Sequence, residues 1–123
     1  MIITPLKNAL LSLEDILKQP LNEYIRDGVI QRFEYTFELS WKIIARYFKE
    51  IGREDLPHGP RPLIKEAGKE GLINDVEAWL RFLESRNKST HIYNDKEAQQ
   101  VYEDAKNFPK YVKELIQHLE QKK

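Results

Sequence analysis

Apolar residues recur at three- and four-residue spacing along most of this chain, which is the period of amphipathic α-helices. The first helix is predicted to begin at Thr4-Pro5, an N-cap candidate followed by a proline at the first helical position. It is predicted to end near Gln19-Pro20. No stretch shows convincing period-two alternation, so the pattern indicates an all-helical protein.

The second predicted helix is the longest and carries the clearest apolar stripe. It starts between Asn22 and Asp27 and runs to Ile51, where Gly52 supplies a stop signal. The stripe consists of Ile30, Phe33, Phe37, Trp41, Ile44, Phe48 and Ile51. These residues share one apolar face of the helix.

A polar row lies beside that stripe at helical spacing. It consists of Asp27, Gln31, Glu34 and Glu38. One interpretation is a solvated face with pairs within the helix, such as Glu38 with Lys42. The other is that part of the row lines a cleft that contains Arg86. The residues alone leave both open.

Two shorter helices are predicted next. Pro62 opens a short helix that Gly71 closes, and Asn74 or Asp75 caps the one after it. The apolar stripe of this later helix consists of Val76, Trp79, Leu80 and Leu83. Arg86 follows on roughly the same face. Because an unpaired buried charge is costly, Arg86 is expected either to pair with an acid of the second helix or to face an anion site.

The last helical region begins near Asn94-Asp95, and Pro109 is expected to kink or divide it. The pattern predicts an antiparallel bundle of four main helices with an additional short helix. No repeat, low-complexity tract or domain boundary is visible. Residues 1–123 are therefore predicted to form a single domain.

Composition narrows the classes of function. The 20 basic residues balance the 20 acidic ones, which argues against a protein that coats nucleic acid but not against an enzyme that engages a few phosphates. The absence of cysteine excludes disulfides and thiolate metal sites. No apolar run approaches the roughly 20 residues of a membrane span, and the first residues lack signal-peptide features. We expect a cytoplasmic protein without membrane contact.

The most concentrated chemistry lies between Ser85 and Tyr93, which joins two predicted helices. Arg86 offers a planar, permanently charged fork of donors suited to phosphate. His91 carries an imidazole, which both accepts and gives a proton near neutrality. The chain's three histidines are scattered and form no H-E-x-x-H motif, so we predict neither a metal site nor a cofactor.

The geometry of this segment depends on where the helix ends. If the helix continued to His91, that residue would lie about 140° around the axis from Arg86, because five residues turn through about 500°. If it ends near Asn87, the turn is able to fold His91 back beside Arg86. Ser89 and Thr90 favour the earlier end. By itself the pair also fits a helix-end salt bridge and a histidine with a structural role.

The segment Arg86-Asn87-x-x-x-His91-x-Tyr93 resembles the R-x4-H-x-Y motif of HepT-like toxins in the HEPN superfamily. The stretch from Arg26 to Lys42 resembles the second helix of a HEPN branch, the nucleotidyltransferase substrate-binding protein family. Further matches to that branch are Lys65-Glu66-Ala67, Gly71-Leu72-Ile73 and Trp79. The resemblance covers nearly the whole chain.

The resemblance implies a helical homodimer whose two motif segments meet in a shared cleft and cleave RNA without a metal. His91 would be the general acid/base, and Arg86 would stabilise the phosphorane. Asn87 would orient the phosphate or His91. One residue of the polar row, Asp27 by preference, would position Arg86 or His91.

The resemblance also implies a partner, a small nucleotidyltransferase of the MntA type. In a toxin–antitoxin pair, this partner would transfer AMP onto Tyr93 and so block RNA. Under the older family description, the chain would instead be a non-catalytic substrate-binding subunit of a two-chain nucleotidyltransferase. A purely structural helical adaptor is a third interpretation, and it requires the motif match to be chance.

Overall fold

Six α-helices form the secondary structure of this protein in a computed structural model that describes residues 1–122; Lys123 lies outside the described residues. The helices are α1 (Thr4–Leu17), α2 (Glu23–Glu50), α3 (Pro60–Glu70), α4 (Val76–Ser89), α5 (Asp95–Lys106) and α6 (Pro109–Gln121). The prediction of an all-α fold is confirmed. Within residues 1–122, no helix combines the length and the apolar character that a membrane span requires.

Several helix ends are where local sequence signals place them. The side chain of Asn22 accepts a hydrogen bond from the backbone N–H of Ile25 at 2.9 Å and caps α2. Asp75 caps α4 in the same way, through the N–H of Ala78 at 3.0 Å. Gly71 ends α3 in the left-handed conformation, with φ +80°, which glycine adopts without steric cost. These ends are local, so the sequence predicts them well.

Two predicted helix starts are wrong. Ile3, not Thr4, occupies the N-cap position of α1, and no side chain caps it. Thr4 is already helical, because Pro5 is tolerated at the second helical position as well as at the first. α3 begins at Pro60, two residues before the predicted Pro62, with Gly59 as its N-cap. Proline fits the first turn of a helix, where backbone N–H groups have no partner within the helix.

Pro109 divides the last helical region, as predicted. It opens α6 directly after Phe108, and α5 ends at Lys106. α2 is central to the bundle, since it packs against α1, α3, α4 and α5. α4 also packs against α5, and α6 packs against α1. This arrangement sets the end of α4 between α2 and α5.

An aromatic cluster holds α2, α4 and the start of α6 together. Phe108 is fully buried, and its ring centroid lies 4.9 Å from Phe82, 5.2 Å from Phe33 and 5.3 Å from Trp79. The pairs of Phe108 with Phe33 and with Trp79 are edge-on, an arrangement that aromatic rings favour. The cluster therefore fixes the seam between α2 and α4, above which Arg86 lies against the ring of Phe37.

Candidate functional site

Helix α4 extends further than the sequence predicts. The helix continues to Ser89, and Thr90 is its C-cap. The hydroxyl of Ser89 donates to the carbonyl of Arg86 at 2.6 Å, and that of Thr90 donates to the carbonyl of Asn87 at 2.9 Å. The hydroxyls were expected to compete with the helical backbone, but here they satisfy carbonyls of the last turn. The predicted end near Asn87 is therefore wrong.

This longer helix places Arg86 and His91 on different surfaces. Asn87 and His91, four residues apart, line one groove between α4 and α5. Arg86 does not line that groove and contacts α2 instead. Within residues 1–122, no hydrogen bond or ion pair joins Arg86 to His91. His91 was expected to fold back beside Arg86 only if the helix ended early. The helix of a single chain does not end early, so the two side chains stay apart.

Arg86 pairs with a carboxylate of the polar row on α2. Its Nη1 lies 2.8 Å from Oε1 of Glu38, and its Cζ lies 5.7 Å from the ring centroid of Phe37. The two charged side chains are only 24% and 32% exposed. Of the two alternatives for Arg86, pairing with an acid of the second helix is the one that the structure shows, and Glu38 is the member of the polar row that faces it.

The acid is not the one that the sequence favoured. Asp27 contacts Arg26, with Oδ1 3.4 Å from Nε, so the assignment of Asp27 as the partner of Arg86 is corrected to Glu38. Because α2 is long, Asp27 near its start and Glu38 near its middle reach different neighbours. Arg26 in turn reaches Asp95 at the start of α5, with Nη2 3.3 Å from Oδ1. That Asp27 positions His91 remains a prediction.

The contact between Arg86 and Glu38 is close but poorly aligned. Although the two atoms are 2.8 Å apart, neither Oε1 of Glu38 nor Nε of Arg86 has a hydrogen-bond partner within residues 1–122. Oε2 of Glu38 accepts a hydrogen bond from Nε1 of Trp41 at 3.2 Å, which anchors the carboxylate on α2. Charge attraction therefore holds Arg86 near Glu38, and aligned hydrogen bonds do not lock its guanidinium in place.

His91 and Tyr93 present their side chains to solvent next to each other. The hydroxyl of Tyr93 lies 3.5 Å from Nδ1 of His91, and the Tyr93 side chain is 81% exposed. The backbone N–H of Tyr93 donates to Oε2 of Glu97 at 3.2 Å. Asn94 caps α5 by accepting from the N–H of Glu97 at 2.9 Å. The loop is therefore anchored to α5, while the phenol and the imidazole remain accessible.

The groove beside His91 has a volume of about 420 Å³. It is lined by Ser85, Asn87, Lys88, His91, Glu97, Gln100, Val101 and Asp104. Ser85 is buried and donates a hydrogen bond to the carboxylate of Asp104. Sequence analysis missed Asp104 and Gln100, because only the packing of α5 against α4 brings them to the motif.

Comparison with known proteins agrees with this architecture. Residues 2–121 match the family model described as nucleotidyltransferase substrate binding protein like. "Probable ribonuclease HepT" of Haemophilus influenzae is 32% identical over 98 residues, which cover 77% of this chain and 67% of that protein.

Two solved structures have the same fold. One, from Haemophilus influenzae, is described as the fold of a substrate binding domain of a nucleotidyltransferase. It has a TM-score of 0.86 at 28% identity and covers 97% of this chain and 99% of its own. The other, from Thermus thermophilus, has a TM-score of 0.84 at 28% identity, with 93% and 98% covered. The chain therefore belongs to the HepT-like, nucleotidyltransferase substrate-binding protein family, as its sequence predicted.

Proposed function

We propose that this protein is a metal-independent endoribonuclease and the toxin of a toxin–antitoxin pair. The observation that carries the proposal is the end of α4, which presents Arg86 beside Glu38 on one surface and an accessible His91 beside Tyr93 on another. A cation for phosphate and an imidazole for proton transfer are the groups that this chemistry requires. The similarity to a protein named as a probable ribonuclease supports the same class of reaction.

In the proposed reaction the 2′-hydroxyl of a ribose attacks the adjacent phosphate. His91 accepts the proton of that hydroxyl, and Arg86 stabilises the charge of the phosphorane. The bond to the 5′-oxygen breaks, and an imidazolium returns a proton to this leaving group. The products are a 2′,3′-cyclic phosphate and a 5′-hydroxyl end. Asn87, which lines the same groove as His91, orients the phosphate or the imidazole.

A second copy of the chain completes the site in this proposal. Arg86 and His91 of one chain face different surfaces, so one phosphate does not reach both in the arrangement described above. In a homodimer whose α4 ends meet, Arg86 of one protomer would lie opposite His91 of the other. Two copies of His91 would then serve as base and acid at the same phosphate.

The proposed control of this activity is modification of Tyr93 by an MntA-type nucleotidyltransferase. The phenolic oxygen attacks the α-phosphate of ATP, pyrophosphate leaves, and AMP remains on the side chain. Tyr93 suits this reaction because it is 81% exposed. Its hydroxyl lies 3.5 Å from the imidazole of His91, so the added phosphate and adenosine would exclude RNA from that residue.

Cleavage of RNA by the purified, unmodified protein tests this proposal. Total RNA is incubated in EDTA with the wild-type chain, whose intact mass excludes AMP, and with an Arg86→Ala/His91→Ala double variant. We expect cleavage by the wild type only, with cyclic phosphate ends. Metal-dependent cleavage, or equal cleavage by the double variant, would contradict it.

A non-catalytic subunit of a two-chain nucleotidyltransferase is the second candidate function. The description of the matching family, and that of the similar Haemophilus influenzae structure, favour it. Absence of cleavage by the unmodified protein would support this candidate. The next measurement would then be nucleotide binding by the chain in the presence of the nucleotidyltransferase.

Glu38 is expected to position Arg86 for cleavage. Glu38→Gln removes the charge that holds the guanidinium, and misplacement of about 1 Å costs up to roughly 100-fold in rate. Single-turnover cleavage should therefore slow by about 10- to 100-fold. RNA binding should not weaken, because a negative charge has been removed. Glu34→Gln, in the same polar row, is the matched control, and equal effects of the two variants would contradict the role of Glu38.

A further inference from the structure

The C-terminal part of α2, together with the turn up to Arg53 that follows it, has a strongly positive surface. Residues 41–53 contain four cations and one carboxylate, in a chain whose net charge is zero. The cations are Lys42, Arg46, Lys49 and Arg53, and the carboxylate is Glu50. Glu50 lies 3.8 Å from the amino group of Met1. The local surplus of three positive charges is therefore concentrated on one side of the bundle.

The two lysines of this surface have no acidic partner, whereas Arg53 is engaged. Within residues 1–122, no carboxylate forms an ion pair with Lys42 or Lys49, and both side chains are exposed. Arg53 contacts Glu66 at 3.2 Å, and this hydrogen bond is the main reason that the pKa of Glu66 is lowered. The charge available to an outside anion thus comes from the two lysines and from Arg46, which is also exposed and forms no ion pair within residues 1–122.

A groove of about 300 Å³ runs between this part of α2 and the loop before α3. Trp41, Lys49, Arg53 and His58 line it, and Glu54 is the acidic side chain in its lining. Trp41 is half-buried, and Nζ of Lys42 lies 6.0 Å from its ring centroid. An accessible aromatic ring next to cations is the combination that binds single-stranded nucleic acid, since bases stack on the ring and phosphates face the charges.

The groove is connected to the candidate site through Trp41. The indole Nε1 donates to Glu38 at 3.2 Å, and Glu38 contacts Arg86 at 2.8 Å. Trp41 is three residues, or about one helical turn, beyond Glu38 on α2. An RNA strand whose phosphate faces Arg86 therefore needs to extend by only about one turn of this helix to reach Trp41. Lys42 lies outside the lining of the groove, with Nζ 6.0 Å from the ring centroid of Trp41, whereas Lys49 is part of that lining. The two lysines lie on the same side of the helix, because seven residues span about two turns.

We propose that this groove binds a single-stranded segment of RNA adjacent to the phosphate at Arg86, with one base on Trp41 and phosphates facing Lys42 and Lys49. This inference rests on the proposed ribonuclease function and names the form of RNA that the site takes. Stacking on the ring and contacts with phosphate do not depend on the identity of the base, so the groove binds unpaired RNA of many sequences. Double-stranded RNA binds less tightly, because its bases are not free to stack on Trp41.

The test uses a fluorescein-labelled 2′-O-methyl oligonucleotide of about 12 nucleotides, a length within the range bound by single-strand sites. It lacks the free 2′-hydroxyl, so binding is measured without cleavage. For Lys42→Gln/Lys49→Gln we expect the Kd to rise by on the order of tenfold at about 0.1 M salt. The slope of log affinity against log salt should fall by about 1.4, since each single-strand phosphate contact contributes about 0.7.

Lys18→Gln/Lys110→Gln is the matched control. It removes the same charge from two exposed lysines that lie outside α2, since Lys18 is the C-cap of α1 and Lys110 belongs to α6. Its Kd and salt slope should equal those of the wild type. Equal losses in the two double variants would show a non-specific effect of net charge and overturn the proposal, as would an unchanged Kd in Lys42→Gln/Lys49→Gln.

Tryptophan fluorescence reports on the groove directly. The chain has two tryptophans, and Trp79 is fully buried, so quenching by the oligonucleotide should come from Trp41. In Trp41→Phe the quenching should disappear, while the phenyl ring retains part of the stacking. Quenching that persists in Trp41→Phe would overturn the proposal.

The outcome is separable from that of the proposed function. Binding that depends on Lys42 and Lys49, without cleavage of ordinary RNA, would support the groove proposal and contradict the proposed ribonuclease function. Cleavage that depends on His91, with oligonucleotide binding that is insensitive to the two lysines, would support the proposed ribonuclease function and contradict the groove proposal. If the lysine variant lost the nucleotidyltransferase and kept the oligonucleotide, the surface would be a protein interface and the groove proposal would fail.

Discussion

Replacement of His91 by alanine is expected to slow RNA cleavage by about 10²- to 10⁴-fold, the range for loss of a general acid/base. The reason is that the variant loses the group that accepts and returns the proton, while Arg86 and its contact with Glu38 stay in place. Initial rates on a labelled RNA, at saturating and at low substrate, measure this change. The loss should appear in kcat, because His91 acts in the transition state.

The stability of this variant separates chemistry from folding. The His91 side chain is exposed, so the free energy of unfolding should change by no more than about 0.5 kcal/mol. His118→Ala is the histidine control, since Nδ1 of His118 lies 2.8 Å from the carbonyl oxygen of Leu72. This control should lose about 1 kcal/mol of stability and keep its cleavage rate per folded molecule. A wild-type cleavage rate in His91→Ala would contradict the role of His91 as general acid/base.

Replacement of Phe108 by alanine is expected to lower the free energy of unfolding by about 3–5 kcal/mol. The phenyl ring is fully buried and contacts aromatic rings of both α2 and α4, so its removal leaves a cavity where the two helices meet. A loss of this size is a large part of the roughly 5–15 kcal/mol that stabilises a typical domain. Urea denaturation followed by circular dichroism measures it.

Two further variants check that the cavity causes this loss. Tyr24→Ala removes a ring that is 85% exposed, and it should change stability by no more than about 0.5 kcal/mol. Phe108→Leu fills much of the cavity and should cost less than Phe108→Ala. If Phe108→Ala cost no more than Tyr24→Ala, the aromatic cluster would not be the main contact between α2 and α4.

Local signals made most of the fold predictable. The apolar period indicated the helices, and cap candidates narrowed two starts to the stretch from Asn22 to Asp27 and to Asn74 or Asp75, because a cap acts within one helical turn. The structure selects Asn22 and Asp75. Pro109 divided the last helical region for an equally local reason, since proline lacks a backbone N–H. Thr4 was wrongly predicted to be the N-cap of α1. The N-cap and the first helical position are adjacent residues, and residue propensity alone does not distinguish them.

The motif residues of the candidate site were visible in the sequence, but their contacts were not. The sequence identified Arg86, Asn87, His91 and Tyr93 through a motif and favoured Asp27 as the acid that positions Arg86 or His91. Asp27 and Glu38 belong to one polar row, and only the packing of α2 against α4 selects Glu38. The roles of these residues in catalysis, and of Tyr93 in modification, remain predictions that the experiments above address.

By itself the sequence determined the all-helical class, the long second helix and the motif at the end of α4, since these follow from periodicity and residue type. Only the tertiary structure decided that α4 continues to Ser89, so that Arg86 faces α2 and His91 faces α5. It also brought Trp41 and Lys49 into one groove with a distant loop. The physical reason is that contacts between helices depend on how whole faces pack, and packing is a property of the folded chain.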